Sequence, residues 1–270
     1  MRKLPLDIIT PTLNAGNFVG SCILSTSNLR ISGARHIIVD SGSTDETIQK
    51  VNLHGAELLY HPPGNMYAAI NKGVCDSHNE WVTYINGDDL LFPTSIVDAL
   101  KEFGEDHDVI YGNVDYIDSE GRFLHHWKSA TVKQLPGLFA NRVMPFAQQG
   151  TLFRRSLWEK LCGFDEKFKY SGDFDFFLRA LKLGARFGYL NKKPIAAFRI
   201  HEDQISQSFD NEMRAEGGLS VNYAGLEVGV YQKLVAKVVM RKRNMESYLL
   251  RYMRYSHLYQ KRRLARTMES

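Results

Sequence analysis

The stretch His36-Ile37-Ile38-Val39-Asp40-Ser41-Gly42-Ser43-Thr44-Asp45 decides the fold. A short β-branched run ends in an acid, turns through Ser-Gly-Ser, and meets Thr44 or Asp45, either of which can cap a helix. A strand that passes through a tight polar turn into a helix is the opening of a βαβ unit. The same order recurs on both sides. Residues 6–10 read as a strand, 11–17 as the turn after it, and 18–29 carry helical spacing; beyond the central stretch, Glu57–Tyr60 is a third strand, 66–74 a helix and 81–85 a fourth strand. Strands alternating with helices predict an α/β fold, a mostly parallel sheet flanked by helices. Ligands collect at the carboxyl ends of such strands. From 109 to 199 the pattern is less regular, with strand candidates at 109–111 and 150–153 and a helix over 173–183. From Asn211 onward it is helical throughout, with no repeat and no low-complexity linker.

The 270 residues, 44% of them hydrophobic, suffice for one substantial core, which excludes a disordered tail. The net charge of +4 conceals an uneven distribution. From Tyr231 to the end there are 11 Lys/Arg against Glu246 and Glu269, which leaves 23 basic and 28 acidic residues in the first 230 positions. The expected organisation is a body over 1–210 and basic amphipathic helices over 211–270. Cys22, Cys75 and Cys162 form no CxxC pair, which suits a reducing, cytoplasmic setting and excludes a zinc knuckle. No run approaches the roughly 18 consecutive apolar residues that span a bilayer.

Three clusters carry candidate chemistry. Asn86-Gly87-Asp88-Asp89 follows a buried-type strand, and two adjacent carboxylates on a tight turn are tolerated when a cation or backbone donors offset their repulsion. Mn²⁺ or Mg²⁺ suits such an oxygen site, with water and substrate phosphates completing the shell. The plainer alternative is a solvated turn in which Asp89 caps a helix. Ser171-Gly172-Asp173-Phe174-Asp175 places two acids at a helix start, either as capping charges or as a general base. His201, after an apolar run, is a structural histidine unless the fold carries it to Asp88.

In order and spacing the clusters resemble the inverting GT-A glycosyltransferases of family 2, particularly bacterial members that build surface polysaccharides. The matching pieces are Ile8-Ile9-Thr10-Pro11-Thr12-Leu13-Asn14, Val39-Asp40-Ser41-Gly42-Ser43-Thr44-Asp45, Gly64-Asn65-Met66-Tyr67-Ala68-Ala69-Ile70-Asn71-Lys72-Gly73 and Tyr84-Ile85-Asn86-Gly87-Asp88-Asp89. They continue with Gln149-Gly150-Thr151-Leu152-Phe153, Gly163-Phe164-Asp165-Glu166, Ser171-Gly172-Asp173 and Arg199-Ile200-His201, so the likeness covers roughly 6–208. It implies a GT-A, Rossmann-like fold and transfer from a nucleotide-diphosphate sugar, a UDP-sugar, to a saccharide or lipid-linked acceptor. By the same resemblance Pro11, Thr12, Leu13 and Asn14 line the nucleotide pocket, Asp40 contacts base or ribose, and Asn71 and Asn86 lie beside the donor. Asp88, Asp89 and His201 hold Mn²⁺ or Mg²⁺, and Asp173 is the base, with Asp175 as the alternative. The chain departs from the family pattern at Asn86, where the first acid of the metal motif is usual, at Gly172, often Glu, and at Met66, where some relatives carry Arg.

The chemistry of the residues agrees with this reading. Transfer needs a cation at the departing diphosphate and a base on the opposite face of the sugar. A glycoside hydrolase would need two carboxylates flanking one bond and no nucleotide pocket. A nucleotidyltransferase would carry a basic phosphate loop, whereas 10–17 contains no Lys or Arg. An inactive sugar-nucleotide-binding scaffold would not need both Asp88 and Asp173. The basic end predicts either helices packed on the body or a second subunit, or an interfacial helix on the anionic inner face of a membrane. Nucleic acid is not an expected partner, because no reading motif accompanies the charge.

Overall fold

The computed structural model describes residues 3–202 and 210–250. The first strand, β1 (Leu6–Thr12), is followed by two short helices, α1 (Val19–Ser25) and α2 (Ser27–Ile31), where one helix over 18–29 was expected. The break is at Thr26, whose hydroxyl donates to the Ile23 carbonyl and also meets His36 Nδ1 at 2.9 Å. A hydroxyl that bonds backbone this way competes with the continuing helix. Next come β2 (Arg35–Asp40), α3 (Thr47–His54), β3 (Glu57–Tyr60), α4 (Met66–Cys75) and β4 (Trp81–Tyr84). The N-cap position of α3 is Glu46, one residue later than expected, while Asp45 just before it accepts from the Thr47 N–H at 3.0 Å.

β1 to β4 form a parallel array in the order β3-β2-β1-β4. Ile8 pairs with His36 and Ile9 with Tyr84, so the carboxyl ends of β1, β2 and β4 lie side by side. Alternation puts Ile9, Ile37 and Val39 on one face, in the larger core cluster, and Ile8 and Ile38 on the other.

Beyond β4 the sheet continues through β5 (Leu90–Leu91), α5 (Pro93–Phe103), β6 (Val109–Ile117), β7 (Phe123–Trp127), α6 (Leu135–Ala140), β8 (Thr151–Arg154), α7 (Arg155–Lys160), α8 (Gly172–Lys182) and β9 (Phe187–Arg199). The full order is β3-β2-β1-β4-β8-β6-β9-β5, with β7 on β6. Here β8 runs antiparallel to β4 and β6, while β9 runs parallel to β6, so the parallel half grades into a mixed one. β7 and the 13-residue β9 are strands that the sequence pattern did not announce. The pairing of β9 with β5 is what carries Arg199 and His201 back to the Asp88-Asp89 turn, because the two lie antiparallel with Leu90 opposite Ala197.

The expected C-terminal helices are α9 (Asp210–Ala224) and α10 (Val230–Arg243). α9 packs on α8 and α10 on α6, and Ala236 and Met240 are buried in the larger core cluster. A Cβ on Gly137 would lie 2.8 Å from both the Ala236 methyl and the Gln232 carbonyl, so glycine permits the close approach of α6 and α10. No helix of the described residues is long and apolar enough to cross a membrane.

Candidate active site

The loops after β1 and β2 are laced together. The Asn14 N–H donates to Ser43 Oγ at 2.8 Å and Asn14 Oδ1 accepts from the Thr44 N–H at 2.9 Å. The Ala15 N–H donates to Thr47 Oγ1 and the Gly16 N–H to Asp45 Oδ2, both at 2.8 Å, and Lys50 Nζ donates to the Gly16 carbonyl at 2.9 Å. Asn14 takes a left-handed φ of 52°, which Asn tolerates better than most side chains.

Asp40, at the end of β2, is 2% exposed and accepts four bonds: from Thr12 Oγ1 at 3.0 Å, Ser43 Oγ at 2.5 Å, and the Gly42 and Ser43 N–H groups at 2.9 and 2.8 Å. It braces the cradle between β1 and β2. Of the neighbouring residues expected at the nucleotide, Leu13 is exposed, Pro11 half-buried and Thr12 buried.

The turn after β4 presents one carboxylate and holds back the other. Asp88 is partly exposed, and its Oδ2 lies 2.8 Å from His201 Nε2. Asp89 is fully buried, with Oδ1 accepting from the Arg199 N–H and Oδ2 from Gln149 Nε2, both at 2.8 Å. Burial, with the Asp88 charge beside it, pushes the Asp89 carboxyl well up. Arg199 Nε donates to the Asp88 carbonyl at 2.7 Å, so one residue of β9 grips both acids. The His201 ring packs 4.8 Å from that of Phe18. Asn86 Oδ1 is buried without a hydrogen-bond partner among the described residues.

Asp173, in the first turn of α8, receives the Phe174 N–H at 2.8 Å and the Tyr67 hydroxyl at 3.2 Å, both at Oδ1. Its Oδ2 has no such partner among the described residues. Burial raises its carboxyl above the ordinary value, against the hydrogen bonds that favour the ion. Asp173 stands near the end of β4, since its charge adds to burial in pushing up the Tyr84 phenol. Asp175 is spent differently. It is 5% exposed, with Oδ2 accepting from Arg179 Nε at 2.6 Å and Oδ1 from Ser220 Oγ at 2.8 Å.

Two carboxylates of different character thus stand at the carboxyl edge of the parallel strands, beside a cradle built from β1 and β2. A glycosyl transfer family 2 profile matches residues 7–162, the part that supplies the cradle and the Asp88 turn. The chain belongs to glycosyl transferase family 2.

This family 2 glycosyltransferase is 26% identical over 203 residues to chondroitin synthase of Pasteurella multocida, covering 71% of its own length and 20% of that protein. It is 27% identical over 182 residues to a PGL/p-HBAD biosynthesis glycosyltransferase of Mycobacterium bovis, covering 64% of its own length and 68% of that protein. The chain therefore spans only about a fifth of the synthase. Among solved structures it superposes on S. aureus TarS 1–349 in complex with UDP-GlcNAc with a TM-score of 0.63 at 19% identity, covering 88% of this chain and 71% of that one. Glucosyl-3-phosphoglycerate synthase of Mycobacterium tuberculosis, in complex with Mn²⁺, UDP and glucosyl-3-phosphoglycerate, gives 0.60 at 17% identity, covering 83% and 81%. At these identities the two likenesses carry the fold, which is the expected GT-A type.

Two of the expected site residues have hydrogen-bond partners within the fold. Asn71 uses all its hydrogen-bonding capacity within the fold: Nδ2 donates to the Phe164 carbonyl and to Glu166 Oε1, and Oδ1 accepts from the Phe164 N–H and Trp158 Nε1. It clamps α4 to the 158–166 segment, with its side-chain amide fully engaged there. Asp89, expected at the metal, ties its turn to β9 and to Gln149. Sequence reasoning missed Tyr67, Gln149 and Glu216 as contributors. Nothing in the spacing of Tyr67 or Glu216 marks them, since both are placed by contacts across more than forty residues of chain.

Proposed function

We propose that this glycosyltransferase moves a sugar from a UDP-sugar to a hydroxyl of a saccharide or lipid-linked saccharide, inverting the anomeric centre and using Mn²⁺ or Mg²⁺. The observation that carries the reading is the division of labour between Asp88, paired with His201, and Asp173 on a separate helix. The donor set fits the cation: one carboxylate oxygen and one imidazole nitrogen, 2.8 Å apart, leave the rest of a shell to diphosphate and water. Among the described residues no group of three or more His, Cys, Asp or Glu gathers as a richer site. When bound, the cation neutralises charge on the departing diphosphate. Asp88 and His201 would hold it, and Asp89, Arg199 and Gln149 keep the Asp88 turn in place.

Asp173 Oδ2 takes the proton of the acceptor hydroxyl as that oxygen attacks the anomeric carbon, and the bond from that carbon to the diphosphate breaks with its electrons leaving on UDP. Tyr67 fixes the Asp173 carboxylate through Oδ1. The neighbours with UDP-GlcNAc or with Mn²⁺ and UDP in their descriptions support the choice of donor. A thermal-shift titration with UDP tests the reading. The expected result is stabilisation that requires Mn²⁺ and vanishes in Asp88→Ala, whereas Asp173→Asn keeps it and loses UDP release from the UDP-sugar substrate found by screening. Full turnover by Asp173→Asn would overturn the base assignment, and stabilisation by GDP alone would overturn the donor.

We also propose that α10 rests on an anionic lipid surface. It buries a narrow stripe, Ala236 and Met240, continued by Asn244 just past its end, and turns Tyr231, Leu234, Val238 and Val239 outward beside exposed Arg241 and Lys242. An apolar face edged with cations fits the headgroup boundary of such a membrane. A second copy of the chain would set one basic segment against another. Co-sedimentation with phosphatidylglycerol vesicles, compared with phosphatidylcholine alone, measures this.

A further inference from the structure

Asp173 depends on a helix far beyond the family-matched segment. α8 lacks an N-cap of its own kind: Ser171 occupies the position, yet its side chain makes no capping bond to the helix. Ser171 Oγ instead donates to the Met213 carbonyl of α9 at 2.9 Å. The backbone donors just before the helix are gathered by one carboxylate from the same α9. Glu216 Oε1 accepts from the Lys169 N–H at 2.9 Å, and Oε2 from the Tyr170 and Ser171 N–H groups, both at 2.8 Å. Charge-assisted bonds of this kind are about twice as strong as neutral ones. A carboxylate facing a helix start is further favoured by the helix dipole.

We infer that Glu216 is a positioning residue for the base, fixing the 169–171 segment so that Asp173 enters the site at one orientation; this rests on the reading of Asp173 as the base. The same carboxylate has an electrostatic effect. The groups facing Asp173 are Tyr67 from α4, Tyr84 from β4 and Glu216 from α9, and of these Glu216 carries the negative charge that disfavours ionised Asp173. Glu216 therefore orients the base and strengthens it.

Glu216→Gln is the informative variant, because it keeps the size of the side chain, removes the charge and presents an NH₂ group to amides that need an acceptor. Orientation losses of this kind reach about a hundredfold. The expected result is a fall of about tenfold to a hundredfold in kcat for UDP release, with KM for the UDP-sugar within about twofold. The Asp173 carboxyl titration, followed by carbon-13 NMR, is expected to move to lower pH, and exchange protection at the Lys169, Tyr170 and Ser171 amides to be lost. Ser220→Ala, which loosens the same helix through Asp175, is the control for simple loosening and is expected to lower Tm with the Asp173 titration unmoved. If Glu216→Gln keeps the protection of the three amides and the Asp173 titration of the wild type, the inference is overturned, whatever the turnover. If Asp173→Asn turns over normally, the base reading fails first, while an intact base reading with unchanged kcat in Glu216→Gln sinks this inference alone.

Discussion

Tyr67 leaves no room for a side chain at position 172: a Cβ built on Gly172 would lie 2.8 Å from its ring. Glycine at 172 is what permits this close approach of the ring. The ring fills that space, and its hydroxyl reaches Asp173. This contact has a sign that can be measured. The Tyr67 hydroxyl donates to ionised Asp173 and so lowers its pKa, against the burial that raises it. Tyr67→Phe removes the donor. The acid limb of the activity profile, below which Asp173 is protonated and inert as a base, is expected to move to higher pH, with activity retained on the alkaline side. A limb that stays in place would show that another group controls it. At this scale the sequence marked Asp88, Asp173 and His201 as candidates by residue type, and the fold brings His201 to 2.8 Å from Asp88. The sequence was unreadable where a residue acts through a distant partner. Asn71 was expected beside the donor, and only the fold reveals that Phe164, Glu166 and Trp158 engage its amide.

Among the elements, α4 is joined to the segment before α8 by Asn71, by the Tyr67 ring stacked on Phe164, and by Asn65 at its start, whose Nδ2 donates to the Glu166 and Phe168 carbonyls. Asn71→Ala would leave the Phe164 amide, the Phe164 carbonyl and the Trp158 indole short of partners, at a cost of roughly 1–3 kcal/mol. Urea unfolding is expected to show this loss with an unchanged slope, and UDP affinity is expected to stay within about twofold, because the Asn71 amide is engaged within the fold. A large loss of UDP affinity with unchanged stability would return Asn71 to the pocket. The parallel half was legible because β1, β2 and β4 are short apolar runs followed by polar turns, and the amphipathic α8 was legible for a similar reason. β9 was hidden. Its middle, Asn191-Lys192-Lys193-Pro194, interrupts the apolar pattern, and the structure accommodates it as a register shift in which Gly112 pairs with Leu190 and Asn113 with Pro194. β7 carries His125 and His126 in its five residues and, among the described residues, pairs only with β6, so little apolar alternation marked it.

For the whole molecule, the basic end is integral to the folded body as far as residue 250. Asn244 exchanges two bonds with the Lys128 backbone, at 2.7 and 2.8 Å, and Arg243 donates to Tyr189 Oη at 2.9 Å. Deleting the chain from Leu226 would strip Ala236 and Met240 from the core, so membrane association is better tested by surface substitution. Leu234→Glu combined with Val238→Glu is expected to abolish binding to phosphatidylglycerol vesicles and to leave Tm within about 2 °C, because both side chains already face solvent and surface changes are usually within about 0.5 kcal/mol. Wild-type binding that is equal for charged and neutral vesicles would remove the lipid proposal. The residues beyond 250, with six of the 11 basic side chains, lie outside the described structure. The lacing of the loops after β1 and β2 has a consequence for inheritance and for engineering. Asn14, Ala15 and Gly16 on one side bond Ser43, Thr44, Asp45, Thr47 and Lys50 on the other, so the two loops form one mechanical unit. A chimera that imports both loops from a relative brings its own fasteners, whereas importing one leaves mismatched halves.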